Sequence, residues 1–124
     1  MNQLRELIKA ELLLILPRVF FNRVPDSAVF PFITFSFTTS FMNGEVEIVP
    51  IDVDVWDRTC DTTILEGIAS DISGSLHRNH MLGDGITVSI YREGRSSPDD
   101  DDPQIKRRRI SFQARCLDNA QIRR

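Results

Sequence analysis

Apolar and polar positions along this chain follow two different periods, and the switches between them mark out its elements. Leu4, Leu7, Ile8, Leu12 and Ile15 recur at three- and four-residue steps. That spacing gathers them on one stripe of an amphipathic helix over residues 2–15. Asn2 is a suitable N-cap, and Pro17 closes the segment because proline lacks the N–H that a helical ladder needs. Val19, Phe20 and Phe21 read as a short extended piece, followed by turn chemistry at Pro25 and Asp26.

The period then shortens to two. Residues 29–39 are almost wholly β-branched or aromatic, with Ile33, Phe35 and Phe37 on one face and Thr34, Ser36 and Thr38 on the other. Asn43-Gly44 is a hairpin signal. Residues 45–56 form the next strand, and its alternation changes register at Pro50. Val46 and Ile48 have one parity, whereas Val49, Ile51, Val53 and Val55 have the other. A proline at that point predicts a bulge or an edge position.

A second helix is predicted over residues 59–78, from the stripe of Ile64, Leu65, Ile68, Ile72 and Leu76. Thr59 or Asp61 can cap its start. Gly67 and Gly74 lower its intrinsic propensity and would permit a close approach to a sheet. Gly83-Asp84-Gly85 reads as a turn. Ile86, Val88 and Ile90 then alternate with polar residues in a third strand, and Ile110, Phe112, Ala114 and Cys116 do so in a fourth. The expected fold class is α+β: a small, mostly antiparallel sheet of about four strands with two helices packed on one face, in the order αββαββ. The 124 residues form a single domain, with a long acidic loop at 93–104.

Charge sharpens this picture. The net value of −3 conceals an acidic body and a basic end. Residues 1–103 carry 8 basic and 17 acidic side chains, whereas residues 104–124 carry 7 basic and 1 acidic. Asp99, Asp100, Asp101 and Asp102 are consecutive, and Lys106, Arg107, Arg108 and Arg109 follow closely. No apolar run reaches the roughly 18–20 residues that a membrane span needs. Glu6, Lys9 and Glu11 interrupt the first stretch, so no secretory signal is expected, and the chain reads as soluble and intracellular at synthesis. Cys60 and Cys116 are expected to be free thiols.

Candidate chemistry is sparse. Asp52, Asp54 and Asp57 with Asp61 could form a metal or acid-base cluster, but their ordinary reading is a solvated sheet face and a helix cap. His77 and His80 read as a polar helix terminus. Asp84 between two glycines lacks the lysine of a phosphate loop. On a strand, the Lys106–Arg109 run divides between two faces, which weakens it as a nucleic-acid patch. The aromatic run including Phe30, Phe32, Phe35, Phe37 and Phe41 suits either core on both sides of a strand or a subunit interface. No nucleophile-base set and no cofactor motif can be assembled, so the residues point to a binding domain rather than an enzyme.

The ordered motifs resemble a specific family. The first helix leads into Val19-Phe20-Phe21 and a Val24-Pro25 turn. Phe30-Pro31-Phe32-Ile33 looks like a strand start, Val53-Asp54-Val55-Trp56 like a strand end before the second helix, and Ile110-Ser111-Phe112-Gln113-Ala114-Arg115 like a closing strand. In that order they resemble the tail terminator and tail-completion proteins of long-tailed bacteriophages, over residues 3–117. The resemblance implies a non-enzymatic virion protein without cofactors, made in the host cytoplasm. It implies a ring, typically a hexamer, whose partners are its own copies, the tail tube protein and the head-tail connector or stopper. Double-stranded DNA would pass through the lumen without specific binding. Phe30, Phe32, Asp99–Asp102 and Lys106–Arg109 are the expected interface residues. A neck or stopper subunit is the near alternative, and a small nucleic-acid-binding protein using Lys106–Arg109 is the distant one.

Overall fold

The computed structural model describes residues 2–58, 61–83, 85–98 and 102–118. Within these the element order is α1 (Asn2–Leu13), β1 (Val19–Phe21), β2 (Phe32–Phe37), β3 (Phe41–Asn43), β4 (Val46–Arg58), α2 (Thr63–Leu76), β5 (His80–Gly83), β6 (Ile86–Ser96) and β7 (Ile105–Asp118). All seven strands belong to one curled sheet, a half-barrel with the order β1-β2-β4-β7-β6-β5 and β3 beside β4. This corrects the expected fold. The sheet has seven strands rather than four, and it is mixed, because β1 runs parallel to β2 while the remaining pairs are antiparallel.

The inward face follows the two-residue period. Ile33 and Phe35, the run Val49, Ile51, Val53 and Val55, and the run Ile110, Phe112 and Ala114 are all essentially inaccessible. They form a single core with Leu4, Ile8 and Leu12 of α1 and with Leu65, Ala69, Ile72 and Leu76 of α2. α2 lies over the central strands β4, β7 and β6. α1 touches both β1 and β5, the two ends of the sheet, and so spans the mouth of the curl. Gly83 is where β5 meets that helix. A Cβ there would lie 2.7 Å from Ile86 Cγ2 and 3.2 Å from both Gln3 Oε1 and Leu7 Cδ1. Gly67 and Gly74, expected to permit close approach, have nothing within 4 Å of a built Cβ.

Pro50 lies in neither a bulge nor an edge strand, because β4 is interior and its register with β7 runs unbroken through Pro50 and Gln113. β2 and β3 both pair with the same edge of β4, and the chain breaks between them opposite Pro50. The Thr38 N–H donates to the Pro50 carbonyl at 3.1 Å. A residue's N–H and C=O point to the same side of a strand, so the donor that Pro50 lacks would face this break. No regular ladder bond is lost there.

α2 begins later and ends earlier than its periodicity suggests. The N-cap is Thr62, which makes no side-chain cap bond, and the preceding Asp61 Oδ1 accepts the Thr63 N–H at 2.9 Å and its hydroxyl at 2.6 Å. Thr59 and Cys60 lie outside the described residues. At the other end Arg78 adopts φ 61°, and its N–H donates to Ile90 O at 2.7 Å. The backbone is thereby drawn from the helix into the sheet.

Candidate assembly surface

Among the described residues no helix covers the outward face of the sheet, so its side chains are the first candidates for a binding surface. The long pairing of β4 with β7 arranges them in rows. Phe32, Trp56 and Arg107 are neighbours across three strands. The Phe32 and Trp56 rings stack with centroids 6.0 Å apart, and the Arg107 guanidinium lies 4.6 Å over the indole. Phe20 and Phe30 pack on Phe32 at 6.0 and 5.1 Å. The Trp56 Nε1–H donates to Thr34 Oγ1 at 3.0 Å, which satisfies the polar end of the ring.

The next rows are polar. Arg109 donates to Asp54 through Nε at 2.9 Å and Nη2 at 3.1 Å, and Arg107 approaches the same carboxylate at 4.0 Å. This fork raises the Arg109 pKa above its ordinary value, so the group stays charged. The Ser111 hydroxyl donates to Asp52 at 2.9 Å. Farther down, Arg115 lies over the Tyr91 ring at 5.4 Å. Beyond these rows the β3–β4 hairpin carries exposed Phe41 on this face, whereas Met42 and Glu45 lie beside Glu47 and Cys116 on the other face.

The basic run does divide between faces. Arg107 and Arg109 point outward, whereas Arg108 turns inward to bond Glu66 of α2. Glu66 also pairs with Arg95 at 3.9 Å. These contacts tie the start of α2 to β6 and β7, and they occupy Arg108, one of the four charges of the Lys106–Arg109 run. Lys106 is half-buried beside Asp57 in register. Asp102 bonds Arg58 and the Gln104 N–H, and both contacts, that with Gln104 first, hold its carboxyl below the usual range. Asp99, Asp100 and Asp101 lie outside the described residues, as does Asp84.

Phe32 is only 6% exposed, enclosed by the other rings, while Phe30 is half-buried at the edge of the cluster. The aspartates do not converge. Asp52 and Asp54 face outward on polar partners, whereas Asp57 is buried on the opposite side of β4. Among the described residues no group of three His, Cys, Asp or Glu could hold a metal. His77 Nδ1 accepts the Arg92 N–H at 2.9 Å and His80 pairs with Ser89 on β6, so the two histidines have separate structural places. Sequence reasoning missed Phe20, Trp56 and Arg115 as parts of this face. Trp56 was the readable one, as an aromatic with the parity of Asp52 and Asp54.

The sequence matches the family described as Tail completion protein gp17 over residues 2–117. The chain belongs to that family. It is a structural tail or neck protein of a phage-type virion. No curated protein matches it. The fold is similar to a chain in the virion of a native gene transfer agent particle, with a TM-score of 0.68 and 11% identity. That likeness covers 88% of this chain and 90% of the other. The resemblance read from sequence is therefore upheld. Two of the motifs behind it are one contact in this tail completion protein, since Phe32 and Trp56 are register partners with stacked rings. No helix among the described residues is long and apolar enough to cross a membrane.

Proposed function

We propose that the protein forms a ring at the head-proximal end of a tail tube, ends tube polymerisation there and offers the surface to which the head joins. The family match over residues 2–117 carries this reading. The architecture is compatible with it. A ring of identical subunits needs two different patches on each copy, and the uncovered sheet face carries aromatic-arginine rows at one end and the exposed Phe41 of the β3–β4 hairpin at the other. Phe30 and Arg107 sit on the interface side of this proposal, with Phe32 supporting them from beneath.

The partners are further copies of the chain in a hexameric ring, the tail tube protein and the head-tail connector. The ring conducts double-stranded DNA without binding it. The acidic run Asp99–Asp102 suits a lumen wall, because repulsion of phosphates prevents the counterion-releasing contacts that make basic proteins adhere to DNA. No catalysis is involved. Adding the purified chain to polymerising tail tubes tests the proposal. Tubes of limited length with one capped end, and an oligomer by light scattering, are expected. A strict monomer that leaves tube growth unregulated would overturn it.

A further inference from the structure

One end of the half-barrel holds a groove of about 400 Å³. It lies where β4 begins and β7 ends, beside the N-terminal turn of α1. Met42, Ile86 and Cys116 give it an apolar floor, and Glu45, Glu47 and Asp118 give it an acidic rim. No lysine or arginine is among the described residues that line it. Glu47 accepts the Ser40 hydroxyl at 2.8 Å, and neither it nor Glu45 is ion-paired among the described residues.

The charge of the rim reaches the floor. Cys116 is 6% exposed, and its thiol is pushed up to about 11, first by burial and then by the charge of Glu47. The positive amino terminus acts the other way and is the smallest of the three influences. Carboxylates set around apolar side chains suit an occupant that joins an apolar side chain to cationic ones.

The chain carries such a segment at the mouth of the groove. β7 ends at Asp118, on the rim, and residues 119–124 follow it, outside the described residues. Their sequence is Asn119-Ala120-Gln121-Ile122-Arg123-Arg124, with one large apolar residue, two cations and no acid. A reverse turn takes four residues, and asparagine favours one, so Asp118 to Gln121 suffice to reverse the chain. Ile122 then returns to the level of the last residues of β7. Six extended residues span no more than about 22 Å. So short a link presents the segment to its own groove at about millimolar effective concentration, which favours it over the same segment of another copy.

We infer that residues 122–124 fold back into the groove of their own chain. Ile122 lies on the floor of Met42, Ile86 and Cys116, and Arg123 and Arg124 meet the carboxylates of Glu45, Glu47 and Asp118. The last two basic residues of the sequence thereby serve the acidic body of the same molecule. The inference stands apart from the ring reading above and needs no second copy.

Disulfide trapping tests it. Met42→Cys and Ile122→Cys are combined in the full-length chain, with Cys60→Ser and Cys116→Ala to remove the native thiols. A comparison chain carries Phe41→Cys in place of Met42→Cys. Phe41 and Met42 are neighbours on opposite faces of one hairpin strand, and both are more than half exposed. Under mild oxidation in dilute solution, the Met42 pair should close within one chain on the order of ten-fold faster than the Phe41 pair, because docking raises the effective concentration of one thiol at the other. Non-reducing gels separate bonds within a chain from bonds between chains. Adding Arg123→Glu with Arg124→Glu should remove the advantage, and high salt should reduce it by screening the rim. Circular dichroism checks that each chain is folded, and Cys116→Val replaces Cys116→Ala if the latter is not. Equal rates for the two pairs, a bond that forms only between chains, or a rate unchanged by the charge reversal would each overturn the inference.

Discussion

Arg109 closes both arms of its guanidinium on Asp54, its register partner across β4 and β7. The planar fork fits a carboxylate in one orientation, so it fixes the alignment of the two longest strands as well as attracting across them. Asp54 is 8% exposed. Asp54→Ala should leave two guanidinium groups without their shared carboxylate. A fully buried pair broken in this way costs about 3–5 kcal/mol, and the partial exposure of Arg109 reduces the expected loss to about 1–3 kcal/mol. Urea denaturation reads this directly. An unchanged midpoint with unchanged slope would show that the fork contributes nothing to stability.

Gly83 gives a steric prediction. The Cβ of Gly83→Ala would collide with Ile86 and press on Gln3 and Leu7 of α1. The Ile86 side chain must shift, with smaller adjustments of the Gln3 and Leu7 side chains, and overpacking of this kind costs about 1–3 kcal/mol. Gly67→Ala and Gly74→Ala, in open space on α2, should be stabilising by roughly 0.5–1 kcal/mol each. Thermal melts of the three variants separate the cases by sign.

Cys116 should be chemically quiet. Burial, together with the charge of Glu47, pushes its thiol up to about 11 from an ordinary 9.0. Only the thiolate reacts with alkylating agents, so native protein at pH 8 should label far more slowly than denatured protein. The linkage follows in sign. The unfolded thiol ionises first, so this group's contribution to stability is present below pH 9 and declines as pH rises toward 11. Iodoacetamide labelling followed by mass spectrometry checks the first statement. Melts of Cys116→Ala against wild type across that pH window check the second, since only the wild type should lose stability through this group.

The core was legible because its signal is periodic. The stripes on α1 and α2 and the parity of Ile33, Val53 and Phe112 need no knowledge of their neighbours, although Ile64, read as part of the α2 stripe, is 66% exposed and Ala69 is buried instead. Three strands were not legible. β1, β3 and β5 span three or four residues, too few to show a period, and pairing alone makes them strands. Val19-Phe20-Phe21 was recognisable as extended, but its parallel place beside β2 depends on a connection over the sheet edge. The polar ends of β6 and β7 were also hidden. Arg92 to Ser96 show no alternation, yet β6 continues past an irregularity between Arg92 and Gly94 to pair with β7. The candidate surface failed to appear for a related reason. Asp54, Trp56, Arg107 and Arg109 are meaningful together only once β4 and β7 are known to be neighbours. The basic run in isolation suggested nucleic acid, whereas Arg108 and Arg109 are engaged with carboxylates of their own chain.

The position of the protein in the particle is the most direct test of the account. Electron microscopy of isolated, unjoined tails, with the protein carrying a gold-binding tag, would read it. The account predicts label at one end only, the head-proximal end, in a ring one subunit deep. Label along the tube, or on filled heads instead of tails, would contradict it.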